Sequence, residues 1–492
     1  MPEIKNFPRI NRFKEASALR ERFAELGLEM PVDDQVLTAE QGSPLAQPID
    51  VMGKTLSNRW VIHPMEGWDG TEDGFPSEYT LRRWRRFGES GAKLIFGGEA
   101  IAVRHDGRAN PNQVMGTPKH AEGIKQLRDT LVAAHEATTG TSEDLLTGLQ
   151  LTHSGRFCRP DPDHQLKPRI LYHHPLLDER FGIDPGDDSV ILRDEEIYEI
   201  IDCYVATAKI AQQAGFDFVD LKHCHGYLGH EFLSAYRRPG EFGGSFENRT
   251  RFLRTLTERI RREVPGLQIA VRLSLFDLVP FQDDPGTRKG NQKGVGVPMD
   301  HGHLIPYHYA FGVDVNDPLD YDLSEPFRFM ELLHDLDISL VNLTCGSPYY
   351  NPHIQRPALF PPSDGYKPPE DPVEGVARQI HAVRKVKQRF PNLTLIGTGY
   401  TYLQDYLPQV AQAVVRQGWT DLVGIGRMVL SYPRLPLDSL QSGTLDRAHI
   451  CRTFSDCTTG PRHGMISGCF PLDEYYKELP EADRIKAVKQ GK

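Results

Sequence analysis

The sequence has few cysteines and no long apolar run. Its seven cysteines among 492 residues are odd in number and widely scattered, which argues against a disulfide framework and for reduced thiols. No stretch approaches the roughly 18 consecutive apolar residues of a membrane span, and the start lacks the apolar core of a secretory signal. We therefore expect a cytoplasmic protein with no membrane partner.

The sequence also has no excess of basic residues over acidic ones. The 57 Lys and Arg residues are outnumbered by 67 Asp and Glu residues, which gives a formal net charge of −10. Such a charge repels phosphate backbones, and no basic stripe reverses it locally, so we expect no nucleic-acid partner. The histidines at 301, 303 and 308 have no nearby cysteine or ordered aspartate pair, so we predict no metal site. A homo-oligomer is compatible with this composition.

A recurring unit of amphipathic helix, glycine and short apolar strand organises the chain. It is clearest around Gly91, Gly215 and Gly418, where glycine can end the helix in a left-handed turn. Periodicity predicts eight strands, near 58–65, 92–100, 145–153, 216–222, 267–274, 338–344, 393–397 and 420–425. It predicts helices between them, over 77–90, 120–137, 194–214, 246–263, 324–334, 373–389 and 403–417.

This alternation favours an α/β fold of the (β/α)₈ TIM-barrel type over an open doubly wound sheet. No G-x-G-x-x-G follows the first strand, which also argues against a Rossmann domain. We divide the chain into an N-terminal extension (1–45, with one helix near 12–27), a barrel (46–440) and a C-terminal extension (441–492). Long loops follow strand 5 (277–320) and strand 6 (346–370), at the rim where barrels place their chemistry, and we expect lids or specificity walls there.

The most specific motif is Lys-His-Cys-His-Gly-Tyr-Leu-Gly-His-Glu-Phe-Leu-Ser at 222–234, followed by Glu-Phe-Gly-Gly-Ser-Phe-Glu-Asn-Arg-Thr-Arg-Phe at 241–252. Both segments resemble the signature of the old yellow enzyme family and its relatives, the 2,4-dienoyl-CoA reductases and trimethylamine dehydrogenase. Further matches lie in the same order at 56–59, 63–65, 98–100, 150–156, 271–274, 397–399 and 424–427. The resemblance covers roughly residues 45–435 and implies a barrel that binds FMN.

The resemblance implies a set of FMN-binding residues at the ends of the strands: Pro64, Met65, Glu66, Ala100, Gln150, Arg272, Gly397, Gly399, Gly426 and Arg427. The positions after strands 7 and 8 are where such barrels bind phosphate, so Gly399, Gly426 and Arg427 are expected there. By the same resemblance Gln150 would bind the pyrimidine edge of the flavin. Arg272 would place positive charge near N1–C2 and stabilise the anionic reduced ring.

For catalysis, the resemblance implies reduction of an activated C=C bond of an enone or enoate with NAD(P)H. Tyr227 matches the family's proton donor, which protonates the α-carbon after hydride reaches the β-carbon. His225 matches one member of the pair that binds the substrate carbonyl, and Trp68 lies where relatives place substrate-facing residues. We therefore expect a small-molecule substrate.

Two positions depart from the family's pattern near the substrate. Lys222 replaces the usual first member of the carbonyl-binding pair, so we place it with Tyr227 and His225 as catalytic and with Trp68 as substrate-binding. Its ammonium could bind an anionic substrate group, desolvation could make it a base of lowered pKa, or it could pair with a neighbouring carboxylate. Glu66 stands where relatives often have a small residue beside the flavin, and its charge would affect the reduced ring.

The end of the chain differs as well. Larger relatives hold a [4Fe–4S] cluster after the barrel, whereas Cys451, Cys457 and Cys469 here are separated by five and eleven residues without a C-x-x-C. Since such a cluster needs four thiolates, we expect none, and electrons would come from NAD(P)H or from an external partner. The alternative within enzymes is an FMN-dependent amine dehydrogenase or demethylase of the trimethylamine dehydrogenase type. From other classes, a flavin-free hydrolase or a binding scaffold remains an alternative.

Overall fold

The computed structural model describes residues 6–290 and 292–490 and contains a closed parallel barrel. The barrel strands are β1 (Trp60–Ile62), β2 (Leu94–Ile95, continued by Ala100–Ala102), β3 (Leu146–Thr152), β4 (Phe218–His223), β5 (Gln268–Ser274), β6 (Leu340–Thr344), β7 (Thr394–Gly397) and β8 (Leu422–Ile425). The barrel closes because β8 pairs in parallel with β1, with Val423 opposite Trp60 and Ile425 opposite Ile62. The predicted (β/α)₈ barrel is confirmed.

Helices follow the strands and form the outer layer. The principal ones are Glu78–Gly88, Ala121–Thr139, Asp194–Gln213, Arg251–Glu263, Ser324–Asp335, Pro372–Arg389 and Leu407–Arg416. Shorter ones are Pro175–Phe181, Leu228–Leu233, Phe246–Arg249, Pro352–Gln355, Arg427–Ser431 and Leu435–Gln441. The predicted helix over 246–263 is in fact two helices separated at Thr250. The Ser245 side chain caps the first one by accepting a hydrogen bond from the Asn248 N–H.

Apolar side chains fill the barrel at the beginning of its strands. They form one cluster: Val51, Leu56, Val61, Leu94, Phe96, Leu146, Phe218, Ala270, Leu340, Ile396 and Leu422. The first two belong to a short antiparallel hairpin, Ile49–Val51 with Lys54–Leu56, which closes this end. Polar side chains of the same strands, such as Gln150, Lys222 and Arg272, lie near the strands' carboxyl ends, so the chemistry is restricted to that end.

The N-terminal extension packs on the barrel. Its helix, Ala16–Glu25, was predicted, and its Leu19 and Phe23 are buried in the same apolar cluster as the outer barrel helices. Arg22 of this helix also forms an ion pair of 2.7 Å with Asp371. The extension therefore shares the barrel's core, and the predicted segment boundaries stay a prediction.

The two long loops and the C-terminal extension lie on the barrel's carboxyl end or beside it. The loop after β5 contains a hairpin, Phe281–Asp283 with Gly296–Pro298. In its described part, up to residue 490, the C-terminal extension forms three helices, Asp456–Arg462, Glu474–Lys477 and Pro480–Lys489. Among the residues described, no helix has the length and apolarity needed to cross a membrane.

Candidate active site

A cavity of about 260 Å³ opens at the carboxyl end of the barrel strands. Twelve of the predicted residues line it: Pro64, Met65, Glu66, Trp68, Gln150, Lys222, His225, Tyr227, Arg272, Gly399, Gly426 and Arg427. Residues distant in sequence therefore meet at one place, as expected for a barrel whose loops converge at this rim.

Two predicted residues, Ala100 and Gly397, are not among those lining the cavity. The carbonyl of Ala100 accepts a hydrogen bond of 2.7 Å from Gln113 Nε2. An added Cβ at Gly397 would lie 2.7 Å from the Tyr400 hydroxyl, which covers this position. Both residues belong to barrel strands beside the cavity and not to its wall.

The Tyr227 hydroxyl lies in a short hydrogen-bonded row. It donates to Glu66 Oε2 at 2.8 Å and is 2.6 Å from the Tyr349 hydroxyl. Burial, and next the charge of Glu66, raise the pKa of Tyr227 well above its usual value. The phenol therefore holds its proton at neutral pH. Tyr349, which stacks on Phe157 with ring centroids 4.1 Å apart, was not predicted from the sequence.

Lys222 lies against the same tyrosine. Its Nζ is 3.6 Å from the centroid of the Tyr227 ring and 4.0 Å from Glu66 Oε2. Burial lowers the pKa of Lys222, and the charge of Glu66 partly opposes this change. Binding of an anionic substrate group and pairing with a carboxylate are therefore compatible roles for Lys222. Its ammonium is at the outer limit of an ion pair with Glu66 and also lines the cavity.

His225 is held by its backbone in a left-handed conformation, with φ of 66°. Its N–H donates to Ser274 Oγ at 3.0 Å, and its carbonyl accepts from Ser347 Oγ at 2.8 Å. Burial, and then the charges of Arg272 and Lys222, lower the pKa of His225 well below its usual value. The imidazole is therefore neutral and can donate one hydrogen bond.

A buried carboxyl that was not predicted from the sequence links three neighbouring strands, β3, β4 and β5. Asp220 accepts hydrogen bonds from Gln150 Nε2 at 2.5 Å and from the Arg272 backbone N–H at 2.7 Å. Burial raises the pKa of Asp220 to about 7. The signal in the sequence was an acidic residue inside the apolar strand Phe218–His223.

The residues present fit a bound flavin mononucleotide. The Arg272 guanidinium donates to the Pro64 carbonyl at 3.2 Å, but its buried Nε has no hydrogen-bond partner in the described ranges. Arg427 Nη1 is likewise buried without a partner among these residues. An added Cβ at Gly426 would meet nothing closer than 3.8 Å, so the backbone there is open to a ligand. Unpaired guanidinium groups beside open backbone match an anionic cofactor.

A buried ion cluster holds the residues on both sides of Glu66 in place. Arg83 donates to the Met65 carbonyl at 3.0 Å and pairs with Asp69 at 2.8 Å. It also pairs with Glu99, whose Oε1 accepts a hydrogen bond of 2.8 Å from the Gly67 N–H. This cluster determines where the loop after β1 enters the cavity.

The C-terminal extension supplies one wall of the cavity, which the sequence reasoning did not foresee. Its contributions are Cys457, Thr458, Pro461, Arg462, Ser467, Gly468, Cys469 and Tyr476. The Trp68 N–H donates to Ser467 Oγ at 3.0 Å, and the Arg462 guanidinium lies 5.0 Å from the centre of the Tyr349 ring. Within the described residues, no group of three or more His, Cys, Asp or Glu side chains is placed to hold a metal ion. The expectation about the iron–sulfur cluster stays a prediction.

Comparisons with known proteins agree with this site. The model of the NADH:flavin oxidoreductase / NADH oxidase family matches residues 44–286. An NADPH dehydrogenase of Geobacillus sp. (strain WCH70) is 30% identical over 279 residues, which cover 53% of this chain and 74% of the relative.

Solved structures show the same fold. A 2-naphthoyl-CoA reductase in complex with 2-naphthoyl-CoA has a TM-score of 0.63 at 17% identity, over 89% of this chain and 58% of that chain. An old yellow enzyme homologue from Zymomonas mobilis has a TM-score of 0.53 at 23% identity, over 82% of this chain and 94% of that chain. Since the dehydrogenase is similar along most of its length, this chain belongs to the NADH:flavin oxidoreductase / NADH oxidase family, that of the old yellow enzymes, and is an FMN-dependent NAD(P)H oxidoreductase.

Proposed function

We propose that this enzyme reduces the activated C=C bond of an enone- or enoate-type substrate with NAD(P)H. The observation that supports this most directly is a protonated tyrosine, Tyr227, beside a neutral imidazole, His225, on the wall of one cavity. When bound, FMN supplies the hydride that such a reduction needs. The protein supplies the proton and the stabilisation of negative charge.

The substrate carbonyl oxygen is bound by His225 and Lys222. As the carbonyl becomes an enolate, it gains negative charge, which hydrogen-bond donors fixed in a dry site stabilise better than water does. Burial lowers the pKa of Lys222, and the charge of Glu66, 4.0 Å away, partly offsets this and favours the ammonium. A positively charged donor at this position binds an anionic oxygen more strongly than a second imidazole would.

Tyr227 delivers the proton to the substrate α-carbon. The resulting tyrosinate would be buried, so it must be neutralised at once. A replacement proton from solvent would reach the oxygen through its two hydrogen-bond neighbours, either from the Tyr349 hydroxyl at 2.6 Å or from Glu66 at 2.8 Å after that carboxylate has taken up a proton. The arrangement thus provides both the donor and its resupply.

Gln150 and Arg272 would bind the flavin from β3 and β5, the strands on either side of β4. Asp220 of β4 holds the Gln150 side-chain amide and the backbone N–H of Arg272, which fixes the Gln150 side chain and the strand that carries Arg272. Arg427 with Gly399 and Gly426 binds the phosphate, since these residues line the same cavity beyond β7 and β8. Trp68 and Tyr349 border the substrate space.

Anaerobic stopped-flow absorbance tests the proposal. NADPH or NADH is expected to bleach the visible absorbance of the enzyme-bound flavin, and 2-cyclohexenone is expected to restore it. Mixing with trimethylamine or histamine is the parallel arm, which tests the amine dehydrogenase alternative. Bleaching by an amine, together with no restoration by any enone or enoate, would contradict the proposal.

A further inference from the structure

A second arginine without an ionic partner borders the cavity, on the loop after β6. Arg356 donates from Nη1 to Thr458 Oγ1 at 2.6 Å. Its Nη2 is buried and has no hydrogen-bond partner in residues 6–290 and 292–490. The same holds for Nη1 of Arg427, which follows β8 and lines the same cavity.

Arg356 and Arg427 are half-buried and line one cavity, where like charges repel each other. Burial, and next the charge of Arg427, lower the pKa of Arg356 to about 10. Neither arginine forms an ion pair with a carboxylate in the described part of the chain. Asp364 attracts Arg356 more weakly than Arg427 repels it, and the Asp364 carboxylate is paired with Arg462. Each arginine has one buried Nη without a partner and both line the same cavity, so the site favours an anion that both can reach.

We propose that Arg356 is a second phosphate-binding arginine, which acts with Arg427 on the terminal phosphate of FMN and is positioned by Thr458. A phosphate monoester carries nearly two negative charges and three acceptor oxygens, and two arginine forks match this demand. Thr458 belongs to the C-terminal extension, so that segment contributes to cofactor retention through Arg356. This inference rests on FMN binding and not on the proposed enone reaction.

The phosphate that these arginines bind belongs to the cofactor because both line the cavity together with Gly399 and Gly426, the two glycines that follow β7 and β8. The other source of a phosphate monoester is the 2′-phosphate of NADPH. The two sources are separable, because riboflavin lacks the cofactor phosphate and NADH lacks the coenzyme phosphate.

The test compares flavin retention in Arg356→Gln and the unaltered holoenzyme. Flavin fluorescence released on dilution gives Kd for enzyme loaded with FMN and, separately, with riboflavin. Loss of one charge-assisted bidentate contact is expected to weaken FMN binding about 10- to 100-fold and to change riboflavin binding by less than about 2-fold. Equal weakening of both flavins, or no weakening of FMN, would overturn the proposal.

Further variants separate binding from folding. Arg356→Lys keeps the positive charge but not the planar guanidinium, so its Kd for FMN should lie between those of Arg356→Gln and the unaltered enzyme. Thr458→Val should weaken the binding of FMN but not of riboflavin. Thr458→Ser keeps the hydroxyl and should bind FMN as the unaltered enzyme does. Arg378→Gln, which breaks a bidentate pair with Glu370 beside the same loop, is the matched control and should leave the FMN-to-riboflavin ratio unchanged. A raised KM for NADPH but not for NADH, with FMN retention unaltered, would assign the phosphate to the coenzyme and overturn the proposal.

Discussion

Tyr227 and Glu66 are joined by a hydrogen bond of 2.8 Å, although 161 residues separate them in sequence. Tyr227 follows β4 and Glu66 follows β1, so only closure of the barrel brings them together. The pairing places a protonated phenol against a carboxylate at the edge of the cavity. It is the unit on which the proposed proton transfer depends.

Replacing Tyr227 with Phe should slow the reaction of the reduced enzyme with an enone by about 10²- to 10⁴-fold, since the general acid is removed. Reduction of the flavin by NADPH should be nearly unchanged, because it needs no proton from this residue. Stopped-flow traces of the two half-reactions measure both. Tyr349→Phe is the matched control, with a smaller effect, because it removes only the neighbour at 2.6 Å. Equal slowing of both half-reactions in Tyr227→Phe would argue against a proton-donor role.

Replacing Glu66 with Gln should change the pH dependence of anion binding. Glu66 raises the pKa of Lys222 against the effect of burial, so its loss lowers that pKa further. An anionic ligand needs the ammonium, so its affinity is full below the pKa of Lys222 and is lost as pH rises through it. We therefore expect the loss of benzoate binding, followed by flavin absorbance, to shift to lower pH in Glu66→Gln. The exposed neighbour Glu72→Gln is the control, and an unshifted curve would exclude Lys222 as the anion-binding group.

Asp220 should make the protein less stable as pH rises. Its pKa is about 7 in the fold against an ordinary value of 3.8, so the folded state binds the proton more tightly than the unfolded state. The contribution of Asp220 to the free energy of unfolding is complete below its ordinary pKa of 3.8 and is lost as the pH rises through about 7. Asp220→Asn cannot ionise, so its Tm should vary less across this interval, whereas the exposed control Asp50→Asn should follow the unaltered protein. An unchanged pH profile of Tm in Asp220→Asn would contradict the shifted pKa.

Arg83 should be essential for stability. Its replacement by Ala leaves Asp69 and Glu99 buried without a counter-ion, which is expected to lower the free energy of unfolding by about 3–5 kcal/mol. Arg85 lies on the same helix but is exposed, so Arg85→Ala should change that free energy by less than about 0.5 kcal/mol. Urea unfolding of the holoenzymes measures both. Equal effects of the two substitutions would show that the buried cluster contributes nothing beyond helix propensity.

The barrel was predictable because its signals are local. Each strand is a short apolar run, and glycines such as Gly215, with φ of 89°, end the preceding helix in a conformation that other residues rarely adopt. The break at Thr250 was not predictable, since the apolar period continues across it. Local patterns therefore predicted the presence and type of the elements better than their continuity.

The residues lining the cavity were only partly predictable. Those on strand ends, such as Gln150 and Arg272, occupy positions that the barrel topology fixes. The contact from Trp68 to Ser467 spans 399 residues and follows from no periodic pattern. A sequence shows that a segment comes after the last strand but not where it packs, which is why Arg356 and its partner Thr458 were missed.

The cavity wall formed by residues 457–476 contributes no strand pairing to the barrel as far as the structure describes it. Apart from Thr458, which holds Arg356, residues of that wall can therefore be substituted and alter which molecules enter without disturbing the hydrogen-bonded strands that hold the chemistry. Diversification of substrate range can proceed in this appended segment while the catalytic groups on the strands stay constant.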